Sequence, residues 1–388
     1  MDTQREEPRE QRAGWYELFF DLVFVVFVSV LAARLHGDPG PGDFGAFVVL
    51  FFPAWWAWAN LMVTVDLFGP ENPHAQAVLL GAMPGIGLMA AAAPQGLGDR
   101  AWAYALGAAW VRLATFVLWY RRSRLPGSAL PTWRPVLYCV LPAALWAVSA
   151  VVPGAGRFVL WGVAMAVEVV LLVVRRGVDT GFYERLSVEH LVERISLFVV
   201  IVLGESVFTV VATLAGHFTG PSGTAALLGF VVVAELAVVF FLWGTSGAAR
   251  GLARAQAGRS TRAIRDTVMY LPFVLVSGIT VIAAALGTAV SEPAHVLPPG
   301  ARWALCGGVL AYYTANAAIA LRYGDGLRTV ALWYLPCPLL TFGLLLPAAL
   351  LLPAWAAVGC AALLVLVMTS LAKRRARAAG RSPAPAAG

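Results

Sequence analysis

Charged residues are scarce in this sequence: Asp, Glu, Lys and Arg make up only 13% of its 388 residues, roughly half the fraction of ordinary soluble domains. Cysteine is scarcer, with four residues. These shortages exclude a soluble enzyme and a scaffold framed by disulfides. Apolar residues make up 60% of the chain, which excludes a disordered protein, and the glycines follow no three-residue period, which excludes collagen.

Apolar runs of about 20 residues, the length that a helix needs to cross a bilayer, recur along the whole chain. Twelve such runs can be placed, so we predict an all-α membrane protein with about 12 transmembrane helices. The last two runs are separated only by a short segment bounded by prolines. The predicted spans cover residues 17–36, 44–66, 74–94, 101–120, 134–153, 157–174, 195–215, 223–246, 266–288, 301–322, 328–346 and 350–372.

Basic residues fall mostly in alternate loops between these runs, as expected when cytoplasmic loops are rich in arginine. With the N-terminus inside, 23 of the 28 Lys and Arg residues are cytoplasmic. This distribution predicts a multi-pass protein with both termini cytoplasmic. One Lys against 27 Arg, with abundant Ala and Gly, is typical of a GC-rich bacterial genome, so we predict a bacterial plasma membrane. The basic segments at 250–265 and after Lys373 should contact anionic lipid, and the positive net charge does not require a nucleic-acid partner.

The two halves of the chain resemble each other. Residues 134–153 align with 328–347 at an offset of 194, and the aligned positions include Pro142 with Pro336. Residues 102–107 align with 303–308 at an offset of 201. We therefore predict two parallel six-helix repeats, related by an axis along the membrane normal. The predicted segments are a cytoplasmic tail (1–16), the first repeat (17–174), a cytoplasmic linker (175–194), the second repeat (195–372) and a basic, disordered cytoplasmic tail (373–388).

Ionisable side chains inside the predicted spans are few, and acids outnumber bases. Each is costly to insert, by about 2.5 to 3.5 kcal/mol at the bilayer centre, so these groups are candidates for function. Asp66 and Asp266 lie at span ends, where solvated or capping roles are expected. The residues that form the predicted polar core or transport site are Glu17, Asp21, Arg112, Glu168, Glu205 and Glu235.

Counting the helical rise from the cytoplasmic ends places Asp21, Arg112 and Glu168 at similar depth. These three side chains could meet, with Arg112 as the one cation embedded in a span. We therefore predict a polar vestibule that opens to the cytoplasm and ends near the middle of the membrane. The alternative is that Arg112 and Asp21 form a structural lock between helices.

Two motifs carry a resemblance to a known family: one runs from Glu17 through Phe20 and Asp21, and the other from His190 to Ser206. Together they resemble the bacterial low-temperature-requirement A family of multi-pass membrane proteins. The resemblance covers nearly the whole chain but implies no settled activity. The acidic run usual after the second span is reduced here, and Tyr270 replaces an expected His. The positions marked as family motif are Glu17, Phe20, Asp21, His190, Glu193, Arg194, Gly204 and Glu205.

Motifs for catalysis and cofactor binding are not found. The glycines of 81–87 lie in an apolar run without a lysine, so they favour helix packing over phosphate binding. His190 and Glu193 share a helix face but lack a second copy of the pair, so we expect no metal. Glu193 and Arg194 are interpreted as an interhelical salt-bridge element. We expect no cofactor and no enzyme activity.

The leading functional hypothesis is a secondary transporter or permease-like protein. Proton-coupled transport is one version of this hypothesis. Its solute or ion partner and its oligomeric state are unknown. A cation channel built from two six-helix repeats is a second hypothesis, because residues 19–24 are weakly similar to the Phe-Ser-Asp opening of such a potassium-channel family. A third is a membrane-embedded enzyme acting on lipid. A fourth is a structural membrane protein, which a buried polar cluster closed to water would indicate.

Overall fold

The computed structural model describes residues 14–126, 130–174, 186–258 and 260–378. These residues form helices and short connections, with no strand in the described ranges beyond an isolated bridge between Val296 and Pro353. Residues 1–13 of the predicted N-terminal tail, 379–388 of the predicted C-terminal tail and most of the predicted linker lie outside the described residues. Residues 373–378, which were predicted to be disordered, are helical. The all-helical fold class is confirmed.

The helices follow one another closely along the chain. They are α1 Trp15–Ala33, α2 Pro41–Phe68, α3 Pro73–Ala92, α4 Ala101–Ser123, α5 (133–149), α6 Gly156–Val174, α7 Val188–Gly216, α8 (220–257), α9 (261–291), α10 Pro299–Arg322, α11 Leu327–Leu351 and α12 Ala354–Ala378. Four of them, α5, α8, α9 and α11, contain a π-helical segment, at Val136–Val140, Phe240–Gly244, Asp266–Tyr270 and Thr341–Leu345.

In the described part of the chain, 10 helices are long and apolar enough to cross a membrane. The other two predicted spans coincide with α5 and α6. Residues 133–149 of α5 are fewer than the roughly 20 that a span requires, and α6 leads directly into 175–185, outside the described residues. The break between α11 and α12 at Leu352 and Pro353 confirms that the last two predicted runs are separate helices.

Helix starts are specified by local sequence. Proline occupies the first turn of α2, α3 and α10, where its missing N–H has no helical partner to lose. The side chains of Asn72, Ser187 and Thr219 accept hydrogen bonds from backbone N–H groups in the first turns of α3, α7 and α8. The cap at Ser187 starts α7 at Val188, so the last seven residues of the predicted linker belong to this helix. His190, Glu193 and Arg194 are helical.

Two helix pairs pack with their backbones in close contact. Gly85 of α3 faces Gly107 of α4, and Gly278 of α9 faces Gly308 of α10. Small residues at such crossings let helices approach closely in membranes. Tyrosine hydroxyls add bonds to backbone carbonyls: Tyr104 of α4 donates to α2, and Tyr312 of α10 donates to α8. The two halves contact each other mainly through α1 and α7, with α2 and α9 alongside.

Candidate functional site

Five ionisable side chains from α1, α2 and α7 meet where the two halves of the chain contact each other. We call this group the central cluster. All five side chains are at most 7% exposed, although they carry full or titratable charges. Buried charges must be paired, because an isolated one costs several kcal/mol even after relaxation. The central cluster consists of Glu17, Asp21, Asp66, His190 and Arg194.

Helical spacing brings these side chains together. Glu17 and Asp21 are four residues apart on α1, and His190 and Arg194 are four residues apart on α7, so each pair occupies one face of its helix. The beginnings of α1 and α7 and the end of α2 therefore lie on the same side of the bundle. Asp66, near the end of α2, completes the group.

Arg194 joins the two acids of α1. Its Nη2 lies 3.0 Å from Asp21 Oδ1, and its Nε lies 3.5 Å from Glu17 Oε1. Trp58 of α2 donates from Nε1 to the same Asp21 oxygen at 2.8 Å. Within the described residues, Asp21 Oδ2 and Arg194 Nη1 are buried without a hydrogen-bond partner. Both groups therefore have unused hydrogen-bonding capacity.

His190 bridges two carboxylates with its two ring nitrogens. Nδ1 lies 2.8 Å from Asp66 Oδ1, and Nε2 lies 3.2 Å from Glu17 Oε2. The carboxylates are fixed in turn by backbone N–H groups: Ser187 donates to Asp66 Oδ2 and Gly14 donates to Glu17 Oε2, each at 2.9 Å. A histidine between two acceptors can donate to both only as imidazolium, so both contacts are hydrogen bonds donated by His190 only when its ring is protonated.

An aromatic layer separates the central cluster from a second polar contact further along α1 and α7. Phe24, Trp55, Trp58 and Phe198 pack together with ring centroids 4.6 to 6.4 Å apart. Beyond this layer, Ser29 of α1 donates to Glu205 Oε1 of α7 at 2.6 Å. Polar groups thus recur along one seam between α1 and α7, interrupted by aromatic rings.

Arg112 lies in a separate cluster within the first half. Its Nε donates to Glu168 Oε1 and its Nη2 lies 3.2 Å from Glu168 Oε2, which is a bidentate ion pair. The guanidinium also donates to the Ala108 carbonyl at 2.9 Å and lies 5.2 Å from the Trp146 ring centre. The predicted meeting of Arg112 with Glu168 is observed.

Asp21 does not join that pair, because Arg194 neutralises it on the α1–α7 seam. The prediction that Arg112 is the one embedded cation is therefore wrong, and the alternative of a lock between Arg112 and Asp21 is not formed. Asp66 is also not a solvated end group: it is 7% exposed and binds His190. The interpretation of Arg194 as an interhelical salt-bridge element agrees with its contacts.

The remaining predicted positions are dispersed. Phe20 is fully buried, and Gly204 lies on the exposed face of α7 beside Glu205. Glu193 is half-buried next to Arg194. Glu235 lies in α8 of the second half, away from the central cluster. In the described residues, no group of three or more His, Cys, Asp or Glu side chains has an arrangement suited to a metal ion.

Sequence reasoning missed Asp66 and Trp58 as parts of the site. The signal for Asp66 was present, because it is an acid in an otherwise apolar helix end. Trp58 could not be distinguished by composition from its neighbours Trp55 and Trp56. The predicted vestibule is not seen at this site, since the side chains of the central cluster are closed to solvent.

Replacing Trp58 by Phe should remove one donor to Asp21 while keeping an aromatic ring in the layer. Asp21 Oδ1 retains Arg194, and a hydrogen bond to a charged group contributes about 1.5 to 3 kcal/mol, so we expect the free energy of unfolding to fall by that amount. The matched control is Trp110→Phe, which removes a hydrogen bond from an exposed indole N–H to the Gly81 carbonyl. This variant should change the free energy of unfolding little. Chemical unfolding in detergent measures both; equal losses in the two variants would contradict a special role for the buried bond.

The helices and the buried ion pairs define a class: a multi-pass α-helical membrane protein with charged groups inside its bundle. Residues 12–370 match the family described as "Bacterial low temperature requirement A protein (LtrA)". The chain belongs to this family.

An uncharacterised protein of Rhizobium meliloti (strain 1021) is 32% identical to this chain over 215 residues. The match covers 53% of this chain and 52% of the relative, so it spans about half the length of each. No solved structure matches the chain.

Proposed function

We propose that this protein is a proton-coupled secondary transporter or permease-like protein of a bacterial plasma membrane, with both termini cytoplasmic. In this proposal it has 12 spans, α1 to α12, arranged as two parallel six-helix repeats. The observation that carries the proposal is the central cluster, a carboxylate-rich group buried where the two halves meet. Transport sites of such proteins lie between repeats, and the central cluster occupies that interface at the end of the bundle where α1 and α7 begin.

Matching contacts in the two halves support the repeat. Gly107 and Gly308, which align at the offset of 201, each pack against a glycine of the preceding helix. Those glycines, Gly85 and Gly278, open the segments GIGLMAAA and GITVIAAA, which agree at five of eight positions. In each half, the first helix also packs on the third: α1 on α3, and α7 on α9. Equivalent contacts at equivalent positions favour duplication over chance similarity.

The charge balance of the central cluster supports proton coupling. Three carboxylates and one guanidinium give a net charge of −2 when His190 is neutral, and each bound proton removes one negative charge. An uncompensated charge in a low-dielectric interior is unfavourable. Binding of a proton changes the charge held between α1 and α7, so we expect it to be linked to a rearrangement of one helix against the other. Glu205 extends this polar seam past the aromatic layer, toward the far side of the bundle.

Glu205→Gln tests this proposal. Purified protein in liposomes loaded with a pH-sensitive dye should show proton influx when one class from a panel of amino acids, organic acids, sugars or inorganic ions is added under a pH gradient. Glu205→Gln keeps the hydrogen bond from Ser29 but removes the titratable group, so the influx should be abolished. Influx unchanged by this substitution would remove Glu205 from the mechanism.

The matched control is Glu292→Gln, which makes the same chemical change at an exposed residue after α9. It should leave the influx intact. Both variants should unfold at the same temperature as the unmodified protein, which separates loss of transport from loss of fold. Wild-type liposomes that show no coupled proton movement with any class on the panel would count against a transporter.

A structural role is a second candidate, and one observation favours it: the side chains of the central cluster are closed to solvent. In this case α1, α2 and α7 would be locked permanently. Water-soluble thiol reagents distinguish the two candidates, using a Val28→Cys variant, because Val28 is 1% exposed and directly precedes Ser29 on α1. A moving seam should expose that cysteine under a pH gradient, whereas a permanent lock should protect it under all conditions.

A further inference from the structure

The loop between α1 and α2 crosses from the first half of the chain onto the second. Its first residue is fixed to the first half, because Arg34 donates from Nη1 to the carbonyls of Ala93 at 3.2 Å and Pro94 at 3.0 Å. The residues that follow contact α9 and α10 instead, and we call residues 35–39 the latch. The latch lies beyond the end of α1, about 24 Å along the helix axis from the central cluster.

Two hydrogen bonds join the latch to the second half in the described part of the chain. Gly37 has a φ of 79°, which glycine adopts without strain, and its N–H donates to Thr288 Oγ1 of α9 at 2.9 Å. Asp38 Oδ1 accepts from the Gly300 N–H, in the first turn of α10, at 2.6 Å. Pro298, which precedes α10, has no polar side-chain atom. A carboxylate of the first half therefore caps a helix of the second.

Close packing fits the latch to the surface of the second half. A Cβ atom on Gly300 would lie 2.2 Å from the carbonyl oxygen of Pro39 and 2.4 Å from its nitrogen, so Pro39 can lie there only against glycine. The His36 ring packs on Gly287 of α9, where a Cβ atom would lie 3.0 Å from His36 Cε1. Leu35 is fully buried. A connection between two neighbouring helices does not require such a fit to the other half of the chain.

The latch covers the end of the α1–α7 seam that contains Glu205. Thr209 follows Glu205 by four residues on α7, so the two side chains share one face of this helix. A Cβ atom on Gly287 would lie 3.2 Å from Thr209 Cγ2, so Thr209 packs on the same glycine as His36 and is 8% exposed. The central cluster closes the other end of the seam. Glu205 therefore lies between two contacts that each join the first half to the second.

We propose that the latch is the gate on the side of the bundle opposite the central cluster, and that its release gives water and solute a path to Glu205. This inference rests on the proposed function, in which that side faces outward. The latch is held by two hydrogen bonds from exposed residues, Gly37 and Asp38. The central cluster instead has four buried ion-pair contacts. The latch can therefore detach without unfolding a helix.

A cysteine placed beneath the latch tests this proposal. The reaction rate of Thr209→Cys with a water-soluble maleimide is measured on the purified full chain in lipid nanodiscs, where both faces are accessible. The unmodified protein, whose own cysteines are buried or half-buried, gives the background. With the latch intact the reaction should be slow. Adding Gly300→Ala inserts a methyl group where Pro39 lies, so the rate should rise by about tenfold or more.

Variants of the capping carboxylate provide a second test with matched controls. Asp38→Ala should raise the Thr209→Cys labelling rate by about fivefold, because the helix cap is lost. Asp38→Asn keeps a capping oxygen and should leave the rate nearly unchanged. Asp43→Ala removes a carboxylate that accepts from a backbone N–H at 2.9 Å within the first half, and Gly307→Ala adds a methyl group that meets nothing within 4 Å. Neither control should change the rate.

Thermal unfolding of each variant separates release of the latch from loss of the fold. Unchanged labelling in folded Gly300→Ala and Asp38→Ala would overturn the proposal, as would fast labelling of Thr209→Cys with the latch intact. If Gly300→Ala fails to fold, Thr288→Val takes its place, because it removes the acceptor of the Gly37 N–H. Labelling needs no solute. A latch that opens in a protein without coupled proton movement would refute the proposed function alone, whereas coupled movement with unchanged labelling would refute the latch alone.

Discussion

Arg194→Gln should destabilise the protein more than any other single change in the bundle. Arg194 is 1% exposed and is the guanidinium that neutralises Glu17 and Asp21. Removing one partner of a buried ion pair leaves an uncompensated charge and costs about 3 to 5 kcal/mol, a large part of a typical total stability of about 5 to 15 kcal/mol. Size-exclusion chromatography and thermal unfolding after membrane extraction should show little folded protein.

The matched control is Arg322→Gln, which also breaks an arginine–aspartate pair, with Asp266 at 3.0 Å. The Arg322 side chain is 55% exposed, so its loss should change stability by less than about 1 kcal/mol. Combining Arg194→Gln with Asp21→Asn should recover part of the lost stability, because the second change removes the charge left unpaired. Additive losses in the double variant would show that Arg194 acts through packing and not through its pair with Asp21.

The features of this site that depend on regular helix geometry could be predicted from the sequence, whereas contacts between helices distant in sequence could not. Glu17 and Asp21 could be placed on one helix face from their spacing, and Arg112 could be matched in depth with Glu168, because both inferences use regular helix geometry. The choice of Arg194 over Arg112 as the partner of Asp21 depends on which helices are neighbours. Residues 173 positions apart in sequence meet there, and hydropathy carries no information about that contact.

Hydropathy also fails to predict where α7 starts. A window of apolar residues begins at Ile195, so hydropathy predicts that the span starts there, after the charged residues. The helix in fact starts seven residues earlier, at Val188, because Ser187 caps it and because the central cluster provides partners for His190 and Arg194. Charged residues can therefore belong to a buried helix when tertiary pairing compensates them.

Gly107→Ala should disrupt the packing of α3 against α4. A Cβ atom at Gly107 would lie 2.6 Å from the Gly85 carbonyl oxygen and 2.7 Å from Met89 Cγ. The carbonyl belongs to a helix backbone and cannot move alone, so the two helices must separate. Overpacking of this kind costs about 1 to 3 kcal/mol, even though alanine is the better helix former by roughly 0.5 to 1 kcal/mol. Unfolding of the purified variant in detergent measures the loss.

The second half offers the corresponding substitution with an adjacent control. A Cβ atom at Gly308 would lie 2.7 Å from Ile282 Cγ1 and 2.9 Å from the Gly278 carbonyl oxygen, whereas one at Gly307 would meet nothing within 4 Å. Gly308→Ala should therefore lose stability as Gly107→Ala does, while Gly307→Ala should be neutral or stabilising. Because the two crossings are in different halves, the losses of Gly107→Ala and Gly308→Ala should add in a double variant. A neutral Gly308→Ala would mean that the crossing of α9 and α10 tolerates a wider separation than that of α3 and α4, and would weaken the equivalence of the two halves.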